Sequence, residues 1–148
     1  PQMVSRAASL LAHKSAMKDL LASFTAADAE LIPIYNGGEY AEGEAIDHEV
    51  VGPLKILDFT VIAATQLQLS ILLTVRVPVS VTLSYEDRSS AMYDREDDIY
   101  VGAETEETTI EAEPEIRTFI KLSVAGVKIT HFEIMDGEFY FSEPEEWY

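Results

Sequence analysis

The chain contains no cysteine, which excludes disulfides, thiolate zinc sites and cysteine nucleophiles. Basic residues are the next shortage: ten Lys and Arg stand against 27 Asp and Glu, a formal net charge of −17. A surface that acidic repels phosphate backbones, so direct nucleic-acid binding is not expected. Such charge serves basic partners, divalent cations or plain solubility. Long apolar runs are missing as well. The stretch 4–11 is interrupted by Ser5, Arg6 and Ser9. Nothing forms a secretory signal or approaches the roughly 20 apolar residues of a membrane helix. Histidine is scarce: His13, His48 and His131 are the only three, with no pair at metal-ligand spacing. No Gly-rich phosphate loop and no Gly-x-Ser-x-Gly elbow occurs, and Asn36-Gly37-Gly38 reads as a turn. The lack of cysteine suits a reducing compartment, and the chain is read as cytoplasmic, of bacterial or phage origin. Its Pro-Gln-Met start fits either a native terminus after Met removal or a domain cut from a longer protein.

What is present is periodicity. In the stretch 66–85 every odd position from Leu67 to Tyr85 is apolar, while the even positions are polar except Leu72 and Pro78. Ten side chains would share one buried side of a strand. Nineteen extended residues at about 3.3 Å each would span roughly 63 Å, too long for a domain of this size, so the ribbon must bend or break. Pro78 is the natural place, because it has no N–H and faces outward. Strands are expected near 66–77 and 79–86. The alternation returns later: Ile110, Ala112, Pro114, Ile116, Thr118, Ile120, Leu122 and Val124 face one way, and Glu111, Glu113, Glu115, Arg117 and Lys121 the other.

The N-terminal part has a different period. Met3, Leu10, Met17 and Phe24 recur every seven residues, predicting one amphipathic helix over 3–24, packed on a sheet or serving a partner. This end carries three bases against Asp19, net +2, which leaves −19 for the remaining 124 residues. Thr25-Ala-Ala-Asp28 resembles a capping box and predicts a short second helix over roughly 26–32, ended by Pro33. The acidic, Gly-rich segment 36–49 reads as an exposed loop, so that 3–32 is helical, 50–142 antiparallel β and 143–148 an acidic tail of one 148-residue domain. A first β-strand follows the Gly52-Pro53 turn, and Asp136-Gly137 predicts a type I′ hairpin pairing Ile134 with Phe139 and Phe132 with Phe141.

Candidate sites are carboxylates. The run Asp94, Glu96, Asp97, Asp98 resembles a calcium loop, but Ile99 and Thr105 stand where an EF-hand needs Gly and Glu. It remains the one candidate site for a divalent cation; no other cofactor is expected. Carboxylate pairs can also hydrolyse glycosides, but these acids lie on loops and open strand faces, where nothing desolvates them. Glu111, Glu113 and Glu115 would stand about 7 Å apart along one strand face, a spacing close to that of successive phosphates. With Trp147 of the tail they are the candidate partner-binding residues.

The order of elements, with "YEDRSSAMYDREDDIYVG" and then "ETEETTIEAEPEI" after long alternating strands, resembles the β-rich region that follows the nuclease domain in some bacterial PIN-like ribonucleases. The resemblance spans roughly residues 3–142. It implies an accessory part without active-site residues, since the nuclease itself needs an acidic metal constellation on an α/β scaffold and no βαβ pattern occurs here.

Together these features specify an α+β fold, one or two N-terminal helices on a mainly antiparallel sheet, sandwich or partly closed barrel of about six strands. The expected function is non-enzymatic: an acidic interaction or accessory module for a protein partner with a basic surface, with homo-oligomerisation open. The alternatives are an acidic nucleic-acid mimic that occupies a basic enzyme's groove, and a β-barrel enclosing a small apolar ligand.

Overall fold

Where the seven-residue spacing predicts one continuous helix, the chain forms two. In the computed structural model, which describes residues 2–38, 40, 42–87, 92–94, 99–101 and 104–143, helices α1 (Gln2–Leu11) and α2 (Lys14–Ala26) meet at an elbow. His13 makes it: its backbone is extended and its Nδ1 accepts a hydrogen bond from the Ser15 N–H at 3.2 Å, capping α2. The elbow redraws the apolar stripe. Ala7 and Leu11 of α1 and Ala16, Leu20 and Phe24 of α2 are buried, whereas Met3 is 51% exposed. Thr25 caps nothing. It lies inside α2 with its hydroxyl on the Leu21 carbonyl, and the expected second helix shrinks to a 3-10 turn, Asp28–Glu30.

Eleven strands follow among the described residues, seven of them in the two main sheets, close to the six expected. They are β1 (Ile32–Tyr35), β2 (Glu44–Val50), β3 (Lys55–Ala64), β4 (Gln68–Arg76), β5 (Val79–Asp87), β6 (Met92–Asp94), β7 (Ile99–Val101), β8 (Glu104–Ala112), β9 (Glu115–Ser123), β10 (Lys128–Ile134) and β11 (Glu138–Phe141). The segment 36–49 is therefore not all loop, since β2 occupies its second half. Four strands form one antiparallel sheet in the order β10-β9-β4-β3, and three form another, β2-β5-β8. Two pairs, β1-β11 and β6-β7, complete the set.

Two prolines turn the two main sheets into one sandwich. The long alternating segment breaks at Pro78, so β4 belongs to the four-stranded sheet and β5 to the three-stranded one. Its partner segment breaks at Pro114 at the same level, and β8 and β9 change sheets in the same way. The Val77 N–H donates to the Pro114 carbonyl and the Val51 N–H to the Pro78 carbonyl, at 2.9 and 2.8 Å. Because neither proline carries an N–H, the break in the ladder leaves no donor orphaned there. The inward face survives the bend: Leu69, Ile71, Leu73, Val75, Val77, Val79, Val81 and Leu83 are all at most 1% exposed. Leu67 does not join them, at 74% exposure. It precedes β4 in a tight turn organised by the Thr65 hydroxyl, which accepts from the Leu67 and Gln68 N–H groups.

The helices pack on the inner face of the four-stranded sheet, α2 against β10 and α1 against β3. Phe24 of α2 meets Phe132 of β10 edge-to-face at 5.0 Å. The Asp19 carboxylate accepts the Ile129 N–H at 3.1 Å, beside a bulge in β10. No helix among the described residues is long and apolar enough to cross a membrane.

The predicted C-terminal hairpin does not form. β10 pairs antiparallel with β9, while β11 leaves it and pairs parallel with β1. Asp136 instead makes a local turn, its Oδ1 accepting from the Glu138 N–H at 3.1 Å. The chain crosses between sheets there, although Phe139 and Phe141 still reach the core, as their alternation predicts.

Among the described residues one inward position of the four-stranded sheet is both polar and fully buried. Thr118 is fully buried on the inner face, at the level of Leu73 and Ile134, and its Oγ1 has no hydrogen-bond partner. An unsatisfied buried hydroxyl costs about 1–3 kcal/mol, and a methyl of the same shape removes that cost. Thr118→Val is expected to raise stability by about 1 kcal/mol in denaturant melts; a loss of stability would mean that the hydroxyl is satisfied.

Candidate functional site

The three-stranded sheet has a core face and an outer face, and the outer one carries acids almost alone. Its residues follow from register. Ser80, Thr82 and Ser84 of β5 point outward between the buried Val79, Val81 and Leu83. On one flank β2 places Glu49, Asp47 and Glu44 beside them; on the other β8 places Glu111, Thr109 and Glu107. The result is a central hydroxyl stripe between two carboxylate margins, with no Lys or Arg at any of these positions. Ile46, 51% exposed, is the apolar residue at its edge.

Only part of this surface was expected. Glu111 and Glu113 are exposed, and both line a 330 Å³ pocket at the proline bend with Val51, Pro78, Val79 and Ala112. Glu115 is exposed too, but it begins β9 on the four-stranded sheet opposite Arg76. The expected straight ladder of three carboxylates is thus divided by the bend at Pro114. Glu107 lay outside that ladder although it shares the face. Glu44, Asp47 and Glu49 were hidden because a bulge between Ala45 and Asp47 breaks the two-residue period of β2.

Of the other expected candidates only Asp94 is among the described residues. Trp147 lies outside the described residues, as do Glu96, Asp97 and Asp98, and Asp94 is placed in β6. Among the described residues no group of three metal-ligating side chains comes together. His48 belongs to β2 and not to a loop; its Nε2 lies 2.7 Å from the Asp28 carbonyl and 3.1 Å from that residue's Oδ1, tying the 3-10 turn to the sheet. His131 is on the outer face of β10, 3.7 Å from Glu133 and edge-on to Phe119.

Two further features stand apart. A 370 Å³ apolar cleft opens where the helix elbow meets β3, lined by Leu11, Ala12, Met17, Ile56 and Phe59 among others. The Glu143 carboxylate is buried, only 3% exposed, and accepts the Tyr35 hydroxyl, anchoring the end of the described chain to β1. Comparison with family models, curated proteins and solved structures finds no significant match, so the surface is read from its own chemistry.

Proposed function

We propose that the protein is a non-enzymatic interaction module whose acidic outer sheet face receives a basic protein surface. The observation that carries this reading is the one-signed face: carboxylates of β2 and β8 flank β5, and no Lys or Arg among the described residues pairs with them. In water such exposed charges contribute little affinity singly, but together they steer a cationic partner and reject an anionic one. The hydroxyl stripe adds donors and acceptors at the centre. A basic groove built for nucleic acid is one surface of this kind, which retains mimicry as a form of the same reading. With the resemblance to the region after PIN-like nuclease domains, the role is that of an accessory part working in the cytoplasm.

The test uses a lysine decapeptide as the probe, titrated into the full chain. Replacing Glu107, Glu111 and Glu113 by Gln is expected to weaken binding roughly tenfold, on the basis of about 0.2–1 kcal/mol for each exposed pair. Replacing Glu115 and Glu133 on the other sheet is expected to change it less than about twofold. Equal losses in the two variants would reduce the effect to net charge and overturn the reading.

A further inference from the structure

The opposite surface has the reverse character, which composition conceals. On the outer face of the four-stranded sheet stand Lys55, Arg76, Arg117, Lys121 and Lys128, against three acids, Asp58, Glu115 and Glu133. Of the ten bases in the chain, three belong to the N-terminal helices, and Arg88 and Arg95 lie outside the described residues. All the others are on this one face. None of the five forms an ion pair with a carboxylate among the described residues, although the chain has 27 acids from which to supply partners. At the centre, Leu72 and Phe119 are direct cross-strand neighbours, an apolar pair with a cationic rim. A desolvatable anchor inside a polar rim is the usual anatomy of a protein interface.

We infer that this basic sheet face docks the acidic outer face of a second copy of the same chain. The charge complementarity is internal to the molecule: one face offers unneutralised cations around an apolar pair, the other offers carboxylates with Ile46 at their edge. The inference rests on the proposed function and names the basic partner as another copy. The two patches differ, so the contact is head-to-tail and propagates to chains or rings.

Net charge makes the salt dependence diagnostic. Near 0.01 M salt the Debye length is about 30 Å, so each copy senses the whole −17 of the other and is repelled. Near 0.15 M it falls to about 8 Å and the facing patches dominate; near 1 M it is about 3 Å and the attraction fades. Association is therefore strongest at intermediate salt.

The experiment is sedimentation velocity on the full chain at about 100 μM, a concentration suited to weak contacts, at those three salt concentrations. Two reversal variants are compared: Arg117→Glu with Lys121→Glu, and Glu107→Lys with Glu111→Lys. Each alone is expected to dissociate at least a hundredfold more readily than the parent, because like charges then face each other. Mixed in equal amounts they associate again, since one keeps its acidic face and the other its basic face. Circular dichroism melts establish that both fold; if either does not, the corresponding Gln variants replace it, with a loss of about tenfold expected. A parent that is monomeric at all three salts, or a mixture that stays monomeric, overturns the inference. If the parent is monomeric yet binds the lysine decapeptide through its acidic face, only the self-docking falls; if it does neither, the proposed function falls with it.

Discussion

Replacing Gly137 by Ala is expected to destabilise the protein by about 3 kcal/mol or more, a fall of roughly 10 °C in melting temperature for a chain of this length. The reason is a close approach between backbones. A Cβ on Gly137 would overlap the Glu30 carbonyl oxygen and sit 2.9 Å from its carbon, and no rotation of a side chain relieves that. The same residue's carbonyl accepts the Ile32 N–H at 2.8 Å, the first bond of the parallel β1–β11 pair. Making room for a methyl group means moving β11 away from β1 and with it the buried Phe139 and Phe141. Gly126→Ala is the control. That glycine has φ +84° with nothing near its Cβ position, so only the conformational penalty of about 1 kcal/mol applies. Comparable melts for the two variants would show that Gly137 serves as a flexible turn residue and not as a point of contact.

Ile71→Ala is expected to cost about 2–5 kcal/mol, whereas Leu72→Ala next to it costs less than about 1. Ile71 is fully buried opposite Ile120, also fully buried, at the middle of the sandwich, so truncation leaves a cavity that neighbouring strands cannot collapse into. Leu72 faces outward beside Phe119 and loses only partial cover. Urea titration of both variants measures the difference directly, and equal costs would contradict the assignment of alternate residues to opposite faces. Leu72→Ala serves a second purpose, because it removes half of the apolar pair on the basic face while leaving stability nearly unchanged.

The places where expectation and structure part company have a common cause. Pro78 was legible as a break because a strand through it would be too long. Pro114 sat in an alternating run that passes through it without a change of face, so nothing local marked it. Asp136-Gly137 has the composition of a tight hairpin, and the glycine is indeed required, but by contact with Glu30 rather than by a positive φ. The helix spacing over 3–24 is real as a pattern, yet His13 finds a better use for its ring as the cap of α2. For the candidate site, Glu111 and Glu113 could be found by alternation on β8. Glu44, Asp47 and Glu49 could not, because the bulge in β2 shifts their phase.

Alternation alone decided which side chains between 68 and 84 enter the core, since burial depends on a two-residue period that each segment carries within itself. The excess of acid, likewise, needs no coordinates. Pairing is another matter. Every backbone offers the same donors and acceptors, so whether β11 joins β10 or β1 depends on contacts made by distant parts of the chain. Charge segregation follows from that choice: five of the ten bases, scattered between positions 55 and 128, become one cationic face only when β3, β4, β9 and β10 lie side by side.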